Sequence, residues 1–425
     1  RVAYAGWFLD VHTMGGILAK NKPPEEFCGD QNKWDRVGLT PHNVPFRCLY
    51  SKNINNLMFA GRNISTTHIG MGSTRVMLTC AVMGEAVGTA SALCLKYKMT
   101  PRKLYETKIS ELQQLLLKND CFIINLKNED EKDLVLRADV STSSTSPLVF
   151  GPGRYLWELK DDIAQIFPVS ENRINHIKIL VKSKLNKKVN LKLHLRKVNN
   201  IWDFKSKDDI TSATTVVYPN KLQWIKFKLN SFVPPNALYL IIIERQKGIF
   251  LRYSCNVPNG AQFGYKPKTL KKWRLHFGRG ISLVMKISPI NFPYEAKNIT
   301  NGVSRAESWT NIWVSDPAKK LPQYIELKFL KEQRFNTVYL SFDTNLNLSY
   351  RSIPPLYKHP ECVKDYEILV FNGKTWKKIV KIKGNYFRRR IHRFNTILSS
   401  KLRVNVLATN GDKSARIYEI RVYNE

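Results

Sequence analysis

Two hydrophobic rhythms divide this chain. Over residues 1–127 apolar residues come in blocks, with Gly and other small residues between them. Further on, short runs alternate apolar and polar residues, the period-two pattern of half-buried strands. His176–Ser183, Val189–Arg196, Trp224–Leu229, Leu238–Glu244 and Ile281–Ile287 form one set. Tyr324–Phe329, Thr337–Phe342, Tyr366–Phe371, Leu402–Leu407 and Ile417–Tyr423 form a second. Turn residues separate the runs, which predicts two successive β-sandwiches. NEDEKD (Asn128–Asp133) and STSSTSP (Ser141–Pro147) read as a boundary, and Pro289–Tyr294, with two prolines, as a joint. The predicted domains are residues 1–127, 134–290 and 291–425.

The first block holds one apolar run of about 20 residues, Val76–Leu95, the length of a bilayer span. Glu85 at its centre would be expensive in lipid. Gly84, Gly88 and Ala92 recur at four-residue spacing, as in closely packed helices. The run predicts a buried helix of an α/β domain and no transmembrane helix. Just upstream, Asn56–Gly61 reads as a short strand and Arg62–Ser73 as a loop rich in Gly. Ser73 or Thr74 is placed to cap the following helix, with Arg75 in its first turn. Strand, Gly-rich loop and helix start together suit an anionic or electron-rich ligand, because free N–H groups and the positive helix end point at it. An ordinary joint between strand and helix has the same pattern.

Charge changes the picture less than its size suggests. The formal net charge is +34. Residues 1–150 hold 18 Lys/Arg and 14 Asp/Glu, whereas residues 151–425 hold 50 and 20. The excess lysines sit singly on alternating segments such as KILVKSKLNKKVNLKLHLRK, so they predict basic, solvated sheet faces. No nucleic-acid motif accompanies them, and no nucleic-acid partner is expected. The seven cysteines (28, 48, 80, 94, 121, 255, 362) lack CxxC or Cys/His spacing, so neither a disulfide framework nor a metal site is predicted. Arg1 opens straight into an apolar run with no basic n-region, unlike a signal peptide. It reads as a chain entered inside a domain, which leaves the compartment unreadable.

Three stretches carry a family resemblance: GWFLDVHTMGG (Gly6–Gly16), VPFRCLYSKN (Val44–Asn53) and NNLMFAGRNISTTHIGMGSTRVMLTCAVMGEAVGTASALC (Asn55–Cys94). With MTPRKLY and ISELQQLLLKNDC after them, they resemble the C-terminal half of the FAD-dependent oxidoreductases related to the heterodisulfide reductase flavin subunit. The resemblance covers about residues 4–125. It implies a partial FAD-binding, Rossmann-like flavoprotein domain followed by two jelly-roll β-sandwiches. It places Gly61 and Arg62 by the pyrophosphate and ribityl chain, and Gly72, Ser73, Thr74, Arg75 and Val76 at the flavin pyrimidine. The GxGxxG turn and the acidic ribose ligand do not occur in the sequence, and are expected upstream of Arg1. Some family members carry an iron–sulfur cluster; no ligand spacing for one is evident.

His68, inside the Gly-rich loop, and His12, after Asp10, are the candidate proton-transfer groups, since an imidazole titrates near neutrality. A histidine hydrogen-bonded in a polar loop is the competing reading for each. Cys80 reads as a packed thiol and Glu85 as a satisfied carboxylate. NITNGVSRAESWTNIWVSD and ARIYEIRVY resemble the galactose-binding, discoidin-type sandwiches, in which end loops bind sugars. Trp309, Trp313 and Asp316 are the candidates there, against a role in packing. The expected function is FAD-dependent transfer of a hydride or electrons from a small organic or carbohydrate-related substrate, with the electron acceptor open. The alternative is a non-catalytic carbohydrate- or surface-binding protein.

Overall fold

The computed structural model describes residues 1–7, 16–19, 21, 41–269, 273–275, 280–346 and 357–425. Two compact units divide the chain: Arg1–Asp130 with Leu270–Arg274, and Glu131–Thr269 with Leu275–Glu425.

In the first unit β1 (Ala3–Ala5) pairs antiparallel with β2 (His42–Val44). Three helices follow: α1 (His68–Thr74), α2 (Met77–Tyr97) and α3 (Pro101–Lys118). Thr100 caps α3 by accepting from the Lys103 N–H, and Pro101 takes the first turn, where its missing N–H is harmless. The core joins Val2, Phe46 and Leu49 to Met83, Ala86 and Ala90 of α2 and to Leu104 and Leu112 of α3.

Two expectations for this unit need correcting. Asn56–Gly61 is not a strand: it forms one isolated bridge, Met58 with Tyr50, and otherwise bonds back to Leu49 and Ser51. α2 is not a buried helix either. Thr79, Met83, Ala86, Ala90 and Leu93 form a single inward stripe, and only 28% of the helix's apolar window is buried. By length and composition alone α2 could cross a membrane. A Cβ built on Gly84 or Gly88 meets nothing within 4 Å, so among the described residues these glycines do not serve close packing.

The second unit is almost wholly β. Its opening strand is β3 (Asp139–Thr142). A sandwich follows, made of β4 (Tyr155–Glu158), β5 (Asp162–Val169), β6 (Arg173–Ser183) and β7 (Val189–Val198). To these it adds β8 (Asp209–Val217), β9 (Leu222–Phe232), β10 (Ala237–Ile243) and β11 (Ile249–Ser254). β12 (Gln262–Lys266), β13 (Arg274–Leu275), β14 (Ser282–Leu283) and β15 (Met285–Ser288) complete it. One sheet runs β13-β12-β5-β10-β7-β8; the other runs β14-β11-β6-β15, with β4 on β11 and β9 on β6. Alternation sets the faces. Leu191, Leu193 and Leu195 of β7 enter the core, while Lys192, His194 and Arg196 face outward. β10, ALYLIII, lies between β5 and β7 and is buried along almost its whole length.

The last sheet contains β16 (Trp313–Val314), β17 (Gln323–Phe342), β18 (Val363–Phe371), β19 (Trp376–Ile382), β20 (Arg389–Thr409) and β21 (Arg416–Tyr423). Tyr324–Phe329 and Thr337–Phe342, two runs in the sequence, are the two ends of β17. Its register against β20 shifts between Lys328 and Gln333 and again between Phe335 and Thr337. Both ends of β17 feed one core, with Leu327 and Leu340 in the same cluster, so the sheet folds over on itself at those bulges. β3 pairs with β17, Val140 opposite Leu327, so this fold draws a strand from ahead of the β4–β15 sandwich.

Candidate functional site

The Gly-rich segment is held by short backbone links. Ser65 N–H donates to Cys48 O, and Ile64, which is buried, donates to Gly61 O. Gly61 has φ +105, a conformation that side chains disfavour. Arg62 is exposed beside it. Thr67 then caps α1 by accepting from Gly70 N–H at 3.1 Å, and a Cβ on Gly70 would collide with Thr66 Oγ1. His68, the first residue of α1, is exposed. His12 lies outside the described residues.

The helix start is three residues later than expected. Gly72, Ser73 and Thr74 are buried in α1, where N–H groups bond four residues back. Their side chains turn inward as well: Ser73 Oγ donates to Trp7 O at 2.5 Å and Thr74 Oγ1 to Gly70 O at 3.2 Å. Arg75 closes α1 by donating its N–H to Met71 O. Val76, extended, precedes α2, and no side chain caps that end. The N–H groups that lack intrahelical partners at this helix start therefore belong to the first turn of α2, where Met77 and Leu78 are strongly exposed. Sequence reasoning missed this because Ser73 and Thr74 are good cap residues, but Thr67 had already started a helix.

A cleft of about 480 Å³ opens beside the same loop, bordered by Asn63 and Ser65. Arg47, Lys52 and Arg102 line it and, among the described residues, no carboxylate does, so it suits an anionic group. Arg102 is fixed by donating to Lys52 O at 2.9 Å and by lying 5.6 Å from the Tyr50 ring centroid. Burial pushes the Tyr50 hydroxyl pKa up against the lesser opposing pull of Arg102. Arg102 lies 50 residues beyond Lys52 in the chain, which hid the cleft from sequence reasoning.

Residues 1–116 match the family of FAD dependent oxidoreductases. No curated protein matches the chain. Among solved structures it is similar to the family 32 carbohydrate-binding module of Streptococcus pneumoniae EndoD. The identity is 18% over 31% of this chain and 87% of the module, with TM-score 0.26. The family 32 module of Clostridium perfringens NanJ, solved with galactose, is 15% identical over 31% and 85%, with TM-score 0.25.

Among the sandwich candidates, Trp313 is corrected. It is wholly buried in the core, with its indole N–H donating to Ser144 O at 2.9 Å, so it offers no face to a sugar. Trp309 is half-buried and donates to Asn298 Oδ1; Asp316 accepts from the Ala318 N–H in a local turn. A different aromatic group is exposed. Tyr386 and Phe387 stack at 4.5 Å, and Tyr357, 72% exposed, meets Tyr386 edge-on at 5.8 Å. Among the described residues, buried Glu361 Oε2 and His359 Nδ1, close to Tyr357 in the chain, have no hydrogen-bond partner. The adjacent pair in KGNYFRRR was the available signal. No group of His, Cys, Asp and Glu that could hold a metal occurs among the described residues.

Proposed function

We propose that residues 1–127 form the flavin-facing part of a Rossmann-like FAD domain, and that the protein is an FAD-dependent oxidoreductase of an organic, carbohydrate-related substrate. The family match over residues 1–116 carries this reading. The residues fit the cofactor: Gly61 at positive φ lets backbone approach a ligand closely, and α2 begins with unclaimed N–H groups. FAD, when bound, supplies the capacity to accept a hydride or electrons from the substrate. Arg62 gives its exposed charge to the pyrophosphate. The first turn of α2, after Val76, donates N–H groups to the pyrimidine edge, with Arg75 adding positive charge. Gly72, Ser73 and Thr74 position that turn by packing α1 against the Trp7 segment. His68, and His12 from the upstream segment, move protons.

Purified full-length protein, including the segment upstream of Arg1, is expected to carry FAD, seen as flavin absorbance. Gly61→Ala, which imposes a side chain at positive φ at about 1 kcal/mol or more, should lower FAD occupancy while leaving circular dichroism unchanged. Flavin-free protein, or full occupancy in the variant, would overturn the assignment.

A second reading concerns the last sandwich and rests on the stacked, exposed Tyr386–Phe387 pair with Tyr357 beside it. Such rings suit the apolar faces of sugars. In that reading the sandwiches bind carbohydrate, with Trp309 and Asp316 as further candidates. Tyr386→Ala with Phe387→Ala should abolish retention on a galactose-bearing resin; unchanged retention, or none by the parent protein, removes the reading.

A further inference from the structure

The outer face of the sheet holding β6, β9 and β15 carries a charge pattern that folding alone does not account for. Lys178 of β6 stands opposite Lys226 of β9 on one side and opposite Lys286 of β15 on the other. Neighbouring strands lie about 4.8 Å apart, and like charges placed directly opposite are destabilising. Lys228 follows one row along, opposite His176, and Lys182 lies at the far end opposite Leu222. None of these five lysines forms an ion pair among the described residues. Burial first, and then Lys226 and Lys178, hold the His176 imidazole below its ordinary pKa. Between the lysine rows, Trp224 stands opposite Leu180 and stays 41% exposed, with Lys286 Nζ 4.9 Å from its ring centroid.

The opposite sheet of the same sandwich uses the same alternation with a different result. There Lys192 pairs with Glu244, Arg196 with Asp209, and His194 lies between Asp209 and Glu244 at 2.6 and 2.8 Å. One outer face is balanced by acids, and the other is left with a cation row. A row of uncompensated ammonium groups complements a ligand that repeats its negative charges.

We propose that this face binds an acidic polysaccharide, carboxylated or sulfated, laid across the strands with Trp224 against a sugar ring. This outer sheet face presents strands and no helix to enter a nucleic-acid groove, and the row is built from ammonium groups without the guanidinium forks favoured for phosphate. For a membrane, apolar atoms should stand outermost, yet Trp224 carries the Lys286 ammonium against its ring. The surface is separate from the Tyr386–Phe387 pair and does not depend on the flavin reading.

The test uses the full chain in 50 mM salt with polygalacturonate, dextran sulfate, neutral dextran, a 20-base-pair DNA duplex and phosphatidylserine vesicles. Binding is expected for the two acidic polymers, to weaken steeply with salt and to be absent for dextran; the preferred polymer tells carboxylate from sulfate. The triple variant Lys178→Gln, Lys226→Gln, Lys286→Gln should weaken it at least tenfold. A control of equal charge, Lys331→Gln, Lys377→Gln, Lys381→Gln, should leave it within twofold. Trp224→Ala should weaken it several-fold, and bound polymer should raise the pKa of His176 measured by NMR. Equal losses in triple and control would show a general charge effect and overturn the proposal. So would DNA or vesicles binding more tightly through the same three lysines.

Discussion

Asp133 accepts N–H bonds from Val135 and Val422 while almost wholly buried. Burial raises its pKa to about 7; those hydrogen bonds and the Arg421 charge pull the other way without overcoming it. In the unfolded chain the carboxyl loses its proton near pH 4. Between pH 4 and 7 the folded state therefore holds the extra proton, and stability falls as pH rises through that window. That window sets a ceiling on the order of 4 kcal/mol. Asp133→Asn, which keeps the acceptor and removes the charge, should flatten this fall and raise stability at pH 7.5, read from urea midpoints at pH 4.5 and 7.5. An unchanged slope would place the titration elsewhere. Glycines separate in the same way. A Cβ on Gly153 would land on the backbone carbonyl of Tyr253, so Gly153→Ala should lose about 1–3 kcal/mol. Gly84→Ala, in open space on α2, should instead gain about 0.5–1 kcal/mol. Equal denaturation midpoints for the two variants would contradict both placements. Such differences are illegible in sequence, where Gly153 and Gly84 look alike. Trp313 and Trp309 are equally ambiguous in sequence, because an indole serves core and ligand surface alike.

At the scale of elements, alternation of period two located the strands well, since one sheet face must be buried. It could not show that Tyr324–Phe329 and Thr337–Phe342 are one strand, because the bulge between them breaks the alternation without ending the strand. Nor could it place β3, four residues in a Ser/Thr-rich stretch that composition marks as linker. That linker is structural: Ser143 and Ser144 hydroxyls donate to Gln323 Oε1 at 2.6 and 2.7 Å. Residues 131–425 are therefore expected to unfold cooperatively when expressed alone. Residues 291–425 alone should show exposed tryptophan fluorescence, and a peptide of residues 131–148 should reverse it. A native-like spectrum from 291–425 without the peptide would show that β3 is dispensable.

For the whole molecule the uneven charge has a cost. Residues 151–425 carry 50 basic and 20 acidic side chains, and like charges on one compact body repel. At 0.15 M salt the screening length is about 8 Å, so added salt should relieve this repulsion. The urea midpoint of residues 131–425 is expected to rise between 20 and 300 mM NaCl. A midpoint that falls would mean attractive ion pairs dominate. The same body leaves and re-enters the last sandwich at a single place. Leu148 N–H donates to Asn291 O at 2.8 Å, just beyond β3 and just before the strands that complete the fold. The β4–β15 sandwich is thus a guest lodged in a host whose two halves are already in register. A host of this kind closes only once its last strand has left the ribosome, while the guest is complete long before. Its doorway is narrow enough that a short turn from 148 to 291 should excise the guest and leave the host whole.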